Sequence, residues 1–282
     1  MNRYRYKRRI LLSCHLQYAD KLPLRFLTLN SLMKTSLLFA FPIALFLTAC
    51  GGTSSETAET ESIAEAPSEP PTRTEDGWTV FFNNDTKEGW TQFNGKADYE
   101  IKDGVVIGTT KTGEPNSFLA TNKDYSDFVL EYEVKVDTAL NSGVQIRSNQ
   151  YANDTTMMIT NSEGEETERE FPKDRVYGYQ VELDPSPRSY SGGIYEEAGR
   201  GWLHDLSDNP EAREAFNPDD WNQFRVEAIG DTLRTYVNGV LATDIVDDKT
   251  ASGFIALQVH GIPDDKPGPY QVMWRNIRIK EM

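Results

Sequence analysis

Beyond residue 78, apolar and polar positions alternate in short runs, the spacing that sends successive side chains to opposite faces of a strand. In the run from Tyr177 to Asp184, Tyr177, Tyr179, Val181 and Leu183 form one face and Gly178, Gln180, Glu182 and Asp184 the other. Phe128–Val136 alternates over a longer span, and Val144–Arg147 follows it after Asn141-Ser142-Gly143. Tyr99–Ile101 and Val105–Ile107 flank Lys102-Asp103-Gly104, a hairpin turn in which glycine supplies positive φ. Phe224–Ile229 and Leu233–Val237 form a second pair, Asn238-Gly239 turns the latter into Val240–Ala242, and Phe254–His260 and Val272–Ile279 close the chain.

Helix character is confined to Asp205–Phe216, where Asn209-Pro210 offers a start and Pro218 a stop. Tyr151–Asp174, highly charged between Glu163 and Glu170, is expected to be a long exposed loop, an insertion rather than a lid. Many short strands, turn residues between them and a single short helix predict an all-β antiparallel sandwich or jelly roll with long loops, one domain over 76–282.

The amino-terminal part has a different texture. Met33-Lys34-Thr35-Ser36 is a short positive segment, Leu37–Leu47 is apolar, and Leu47-Thr48-Ala49-Cys50 ends it. That is the pattern of a signal peptide, and it resembles the lipobox of bacterial lipoproteins, whose cysteine is acylated. Residues 1–49 are thus expected to be a leader with translation starting at Met33, and Cys50 the lipidation site. Residues 50–75, rich in Ser, Thr, Glu, Ala and Pro, are expected to form a disordered acidic tether. The resulting location is the cell envelope, lipid-anchored, with Gly51 after the cysteine favouring the outer membrane.

Charge and cysteine usage narrow the partners. The formal net charge is −15, which repels nucleic acid and anionic headgroups and favours a neutral ligand such as a sugar. Beyond Cys50 there is no cysteine, so disulfides and thiolate metal sites are ruled out of the folded part. No His-x-His or His-Glu-x-x-His spacing occurs and no cofactor is expected, although carboxylates and carbonyls leave room for a divalent ion such as calcium.

Several polar rows stand opposite apolar faces: Gln180, Glu182 and Asp184; Gln145 with Arg147; Gln258 with His260; Glu131 with Glu133. Each row is either part of a site or a solvated strand face, and Lys135 extends the Glu131–Glu133 row as a solvated stripe. Arg200 and Trp202 follow on a glycine-bracketed loop, and a carboxylate row beside an arginine and a tryptophan is the outline of a sugar site. Glu182-Leu183-Asp184 begins the Glu-x-Asp-x-x-Glu strand of jelly-roll laminarinases, but Ser186-Pro187 stands where the second glutamate belongs. A two-carboxylate retaining glycosidase is disfavoured on that ground.

In order, TVFFNNDTKEGW, DGVVIGT, YSDFVLEYEVK, NSGVQIR, YGYQVELD, GGIYEEAGRGWL, WNQFRVEAIGDTLRTYVNGV, GFIALQVHG and WRNIRIKEM resemble the 3-keto-disaccharide hydrolase family over Trp78–Met282. The resemblance implies a concanavalin-like jelly-roll β-sandwich acting on glycosides oxidised to a ketone at sugar carbon 3. One departure is that several relatives carry Glu where this chain has Gln180 and Gln where it has Glu182. The chemistry it implies is elimination, which needs one base, a stabiliser for the enolate oxygen and a donor for the leaving oxygen. On this reading Glu182 is the base, Arg147 with Gln145 stabilises the enolate, and His260 serves the leaving group. Gln180, Asp184 and Gln258 would bind substrate, Trp202 would stack on the sugar, and Arg200 would fix loop or substrate. The alternative is a non-catalytic carbohydrate-binding module of the envelope, and a third possibility is a structural lipoprotein.

Overall fold

The computed structural model describes residues 72–83, 85–160 and 164–282. The leader, the lipidation site at Cys50 and the tether as far as residue 71 lie outside the described residues. In chain order the elements are β1 (Thr72–Arg73), β2 (Thr79–Val80), β3 (Trp90–Asn94), β4 (Asp98–Lys102), β5 (Val105–Thr109), β6 (Ser117–Thr121), β7 (Phe128–Val136), β8 (Ser142–Gln150), β9 (Thr155–Thr160) and β10 (Glu166–Phe171). They continue with β11 (Val176–Leu183), β12 (Ile194–Glu197), β13 (Gly201–His204), α1 (Pro210–Ala215), β14 (Asn222–Ile229), β15 (Thr232–Val237), β16 (Val240–Val246), β17 (Phe254–Val259) and β18 (Gln271–Glu281).

Sixteen of these strands form two antiparallel sheets, as the jelly-roll expectation requires, and β9 and β10 form a separate two-stranded ribbon. The nine-stranded sheet runs β1-β2-β18-β7-β14-β15-β16, with the β4–β5 hairpin joined to the first half of β18. The seven-stranded sheet runs β13-β12-β11-β8-β17-β6-β3. Side chains from the facing sides pack into one core: Leu130, Tyr132, Val134, Phe224 and Trp274 from the first sheet meet Val144, Ile146, Tyr179, Val181, Leu183 and Leu257 from the second. Burial of such side chains stabilises by roughly 1.5–3 kcal/mol each. On the far side of the nine-stranded sheet, Glu131 pairs with Arg225 and Arg278 and Glu133 with Arg275, an ion-paired outer face.

Three boundaries differ from the sequence reading. Thr72 and Arg73, ahead of the expected domain start at Asp76, pair with Val80 and Thr79. The helix is only Pro210–Ala215; Asn209 caps it by accepting from the Ala212 N–H at 3.1 Å, and Pro210 opens it. The expected loop over Tyr151–Asp174 contains the β9–β10 hairpin, paired from Phe171↔Thr155 to Glu166↔Thr160. Its charged strand carries almost no apolar alternation, which is why periodicity misses it.

The largest departure is a β-bulge in β8. Alternation places Arg147 beside Gln145, but Arg147 has φ 45° and the pairing slips on both flanks, toward β11 and toward β17. Gly178 makes room for it: a Cβ there, at φ 129°, would stand 2.6 Å from Ser148 Oγ and 2.8 Å from its Cα. Arg147 consequently turns out of the outer face. Its Nε donates to the Ser126 carbonyl at 2.7 Å, one terminal nitrogen to the Gly230 carbonyl at 2.7 Å, and the other to Asp127 at 3.0 Å. It is 1% exposed and ties this sheet to two loops of the other.

Replacing Arg147 with Met should destabilise the domain by about 3 kcal/mol, because carbonyls lose buried donors. Chemical denaturation measures that loss, and sugar affinity per folded molecule is expected to be unchanged.

Candidate active site

The outer face of the seven-stranded sheet changes character along its strands. On β17, Phe254 and Ala256 join Phe118, Ala120 and Val176 in a small apolar cluster, whereas Gln258 and then His260 continue the same face. Gln258 and Glu182 both register opposite Gly143 at the centre of the face. A Cβ on Gly143 would lie 2.5 Å from Gln180 Cγ, so only glycine lets the Gln180 side chain lie across β8.

That placement fixes a chain of amides. Gln145 and Gln258 both donate to Gln180 Oε1, at 2.7 and 2.8 Å, and Gln180 Nε2 donates to Glu182 Oε2 at 2.8 Å. Asn141, from the β7–β8 loop, donates to the other oxygen of Glu182. The orientation is self-consistent: a carboxylate only accepts, so Gln180 must present nitrogen to Glu182 and oxygen to its two neighbours. Gln258 Oε1 is buried and has no protein donor among the described residues.

Burial pushes the Glu182 carboxyl up to about 7; the hydrogen bonds from Asn141 and Gln180 oppose the shift, and Asp184 adds to it. The side chain is 4% exposed yet lines a hollow of about 500 Å³. Around it stand Asn116, Asn141, Arg188, Tyr195, Trp202 and His260. His260 Nδ1 lies 2.7 Å from the Gly261 carbonyl, which only accepts, so the proton is on Nδ1 and Nε2 is left for a ligand. Tyr195 and Trp202 pack edge to face with centroids 5.4 Å apart, and the Arg188 guanidinium lies 5.4 Å from the Trp202 ring. Burial raises the Tyr195 phenol. Two positions beyond Tyr195 on β12, Glu197 pairs with Arg175 and receives the Asn116 amide at 3.4 Å.

The structure thus brings Glu182, Gln180, Gln258, His260 and Trp202 to one hollow. Four expected residues stand elsewhere. Arg147 is taken away by the bulge. Gln145 is fully buried, donating to Gln180 and accepting from Ser148 at 2.9 Å, so it orients Gln180 instead of meeting a ligand. Asp184 organises the turn after β11, accepting from the Ser186 N–H and from Arg188 Nε at 2.7 Å. Arg200 is clamped between Glu196 and Asp247, and these hydrogen bonds push its pKa up. It braces the β12–β13 turn.

Asn141, Arg188, Tyr195, Glu197 and Asn116 are the lining residues that strand-face reasoning overlooked. Tyr195 and Glu197 alternate on β12 and carried a usable period-two signal; Asn141 and Arg188 lie in loops, where no periodicity marks them. Among the described residues, no group of three or more His, Cys, Asp or Glu gathers to hold a metal ion.

A sandwich whose amide-lined hollow holds, beside the Arg175-paired Glu197, one carboxylate outside any ion pair among the described residues defines the class: a jelly-roll domain with a single unpaired carboxylate in its site. The chain belongs to the family of 3-keto-alpha-glucoside-1,2-lyase-like domains, whose model matches residues 77–280. Among curated proteins none matches the chain. A solved candidate glycosyl hydrolase from Parabacteroides distasonis is 18% identical with TM-score 0.47, covering 75% of this chain and 99% of its own. A carbohydrate-binding module from Bacillus subtilis is 15% identical with TM-score 0.39, covering 68% and 96%. A kappa-carrageenase from Pseudoalteromonas carrageenovora, solved with an oligotetrasaccharide, is 10% identical with TM-score 0.45, covering 77% and 98%. All three are distant likenesses.

The Glu182 shift has a stability consequence with a definite sign. The folded protein keeps this proton to about pH 7, while the ordinary value is 4.5. Folded stability therefore falls as pH rises from about 4.5 to about 7 and stays lowered above that. Glu182→Gln should stabilise the domain by about 3 kcal/mol at pH 8 and leave it unchanged at pH 4, as read by denaturation at both pH values.

Proposed function

We propose that this domain cleaves the glycosidic bond of 3-keto-glycosides by β-elimination, with Glu182 as the base. The observation that carries the reading is one buried carboxylate, raised to about pH 7 and aimed by two amides into a hollow of a 3-keto-glucoside lyase-like domain. A general base near neutrality combines the ionised form with useful basicity. The ketone at carbon 3 acidifies the hydrogen on carbon 2. Glu182 takes that proton, and the electron pair left behind forms the enolate. As the ketone reforms, carbon 1 and carbon 2 become doubly bonded, and the bond from carbon 1 to the glycosidic oxygen breaks with its electron pair on the oxygen. Water added across the double bond gives the free 3-keto sugar.

The remaining roles follow from what faces the hollow. Arg188, whose Nε is held by Asp184, takes the place that sequence reasoning assigned to Arg147 and turns its guanidinium donors toward the enolate oxygen. His260 presents Nε2 to the departing oxygen and orients the leaving group. Gln258 Oε1 and the amides of Asn116 and Asn141 meet sugar hydroxyls, and Trp202 forms a wall beside the ring. A single carboxylate suffices because no covalent glycosyl intermediate is formed.

The same Tyr195–Trp202 wall would also serve a carbohydrate-binding module without catalysis, so the decisive assay is aglycone release from a chromogenic 3-keto-glucoside. Release is expected, and binding without release would replace the enzymatic reading with the binding one. Glu182→Gln should lower turnover by ~100–10,000-fold. Wild-type kcat/KM should rise with pH through about 7, since the ionised base is the active form, and this limb should vanish in the variant. The lipid anchor at Cys50 belongs to the same proposal: the mass of the processed amino terminus should show an acylated cysteine, and an unmodified Cys50 in the membrane fraction would remove it.

A further inference from the structure

A second cavity, of about 620 Å³, lies between the β9–β10 hairpin and the β12–β13 hairpin. Trp202 lines both this groove and the Glu182 hollow, and a smaller pocket lined by Tyr195 and Trp202 lies between them. The two chambers differ in chemistry. The hollow is built of amides and charged groups, whereas Tyr151, Tyr177, Met157, Met158 and Ile159 line the groove. Tyr151 stacks on Tyr177 with ring centroids 4.3 Å apart, and its hydroxyl is spent on the Ala198 carbonyl at 2.8 Å.

The polar groups of the groove are largely occupied. Glu196 and Arg200 bind each other, and Arg200 also holds Asp247. Among the described residues that line the groove, no convergent set of free donors and acceptors is left to read the hydroxyls of a second hexose, which a sugar subsite requires. Met158 nevertheless stands 57% exposed at the mouth, a large apolar side chain facing water. At the rim the exposed Lys249 has no carboxylate partner among the described residues. The basin on the other side of the hollow, with Asn94, Asn116, Arg175 and Asp264, contains no aromatic side chain.

We infer that this groove is the leaving-group subsite and selects an aromatic, largely apolar aglycone over a second sugar. The inference rests on the lyase reading of the hollow. The methionines and stacked tyrosines take the flat aryl face, and Lys249 meets a phenolic or anionic substituent. The β9–β10 hairpin, which the sequence presents as an insertion, then supplies specificity to a site whose chemistry lies on other strands.

The test is the variant Met157→Ser/Met158→Ser, which touches none of the reacting groups. Against 4-nitrophenyl 3-keto-glucoside, kcat/KM should fall roughly tenfold, mainly through KM, while methyl 3-keto-glucoside is unaffected. Equal losses on both substrates, or none on either, would overturn the inference. If wild type cleaves neither, the lyase reading fails by itself, and fluorescence titration with unoxidised phenyl and methyl glucosides decides the groove. A preference for the phenyl compound that disappears in the variant upholds it. Equal affinities, or a preference that survives in the variant, remove it.

Discussion

Gln180 has one amide nitrogen and one amide oxygen, and the site depends on which way they point. Two neighbouring glutamines donate to the oxygen, so the nitrogen is directed to Glu182. A buried carboxylate without such donors would be protonated and poorly placed; with too many it would be a weak base. The arrangement keeps Glu182 between these limits. It needs Gly143 beneath it, because any side chain there would push Gln180 off the strand. Backbone, amide orientation and acidity are thus one linked constraint.

That constraint is held against stability. Above pH 7 the domain keeps a negative charge in a place where desolvation disfavours it, and the two-sheet core supplies the stabilisation that tolerates it. Nearby polar groups are arranged to keep other charges from interfering. Asp184 is neutralised by Arg188, Glu197 by Arg175, and Glu196 by Arg200. Each pair also braces a turn, so the hollow has walls of fixed shape around one carboxylate whose ionisation responds near neutral pH.

The same logic explains the fate of Arg147. A bulge in the central strand of the seven-stranded sheet moves the arginine to the seam between the sheets, where three acceptors wait. The outer face gains a neutral floor of amides. A guanidinium beside Gln145 would compete for Gln180 Oε1 and would lower the Glu182 pKa that burial raises. Positive charge instead enters from the loop bearing Arg188, at the wall of the hollow.

Period-two patterning was enough to place Gln180, Glu182, Gln258 and His260 on outer faces and Tyr179, Val181 and Leu183 in the core, since a pleated strand has only two sides. It also made a sandwich the natural architecture, and the order of motifs indicated the family. It was silent on Asn141, Arg188 and Asn116, whose positions depend on where loops return, and on β9–β10, whose charged strand hides its pairing. Arg147 shows the limit most plainly. Its residue type and spacing point to the outer face, but its direction is set by Gly178 on the adjacent strand and by acceptors on Ser126, Asp127 and Gly230, far away in the chain. The sequence by itself determined the faces, because alternation is a local property of one strand. Tertiary structure alone decided which residues share the hollow, because bulges and loop returns are set by contacts between strands.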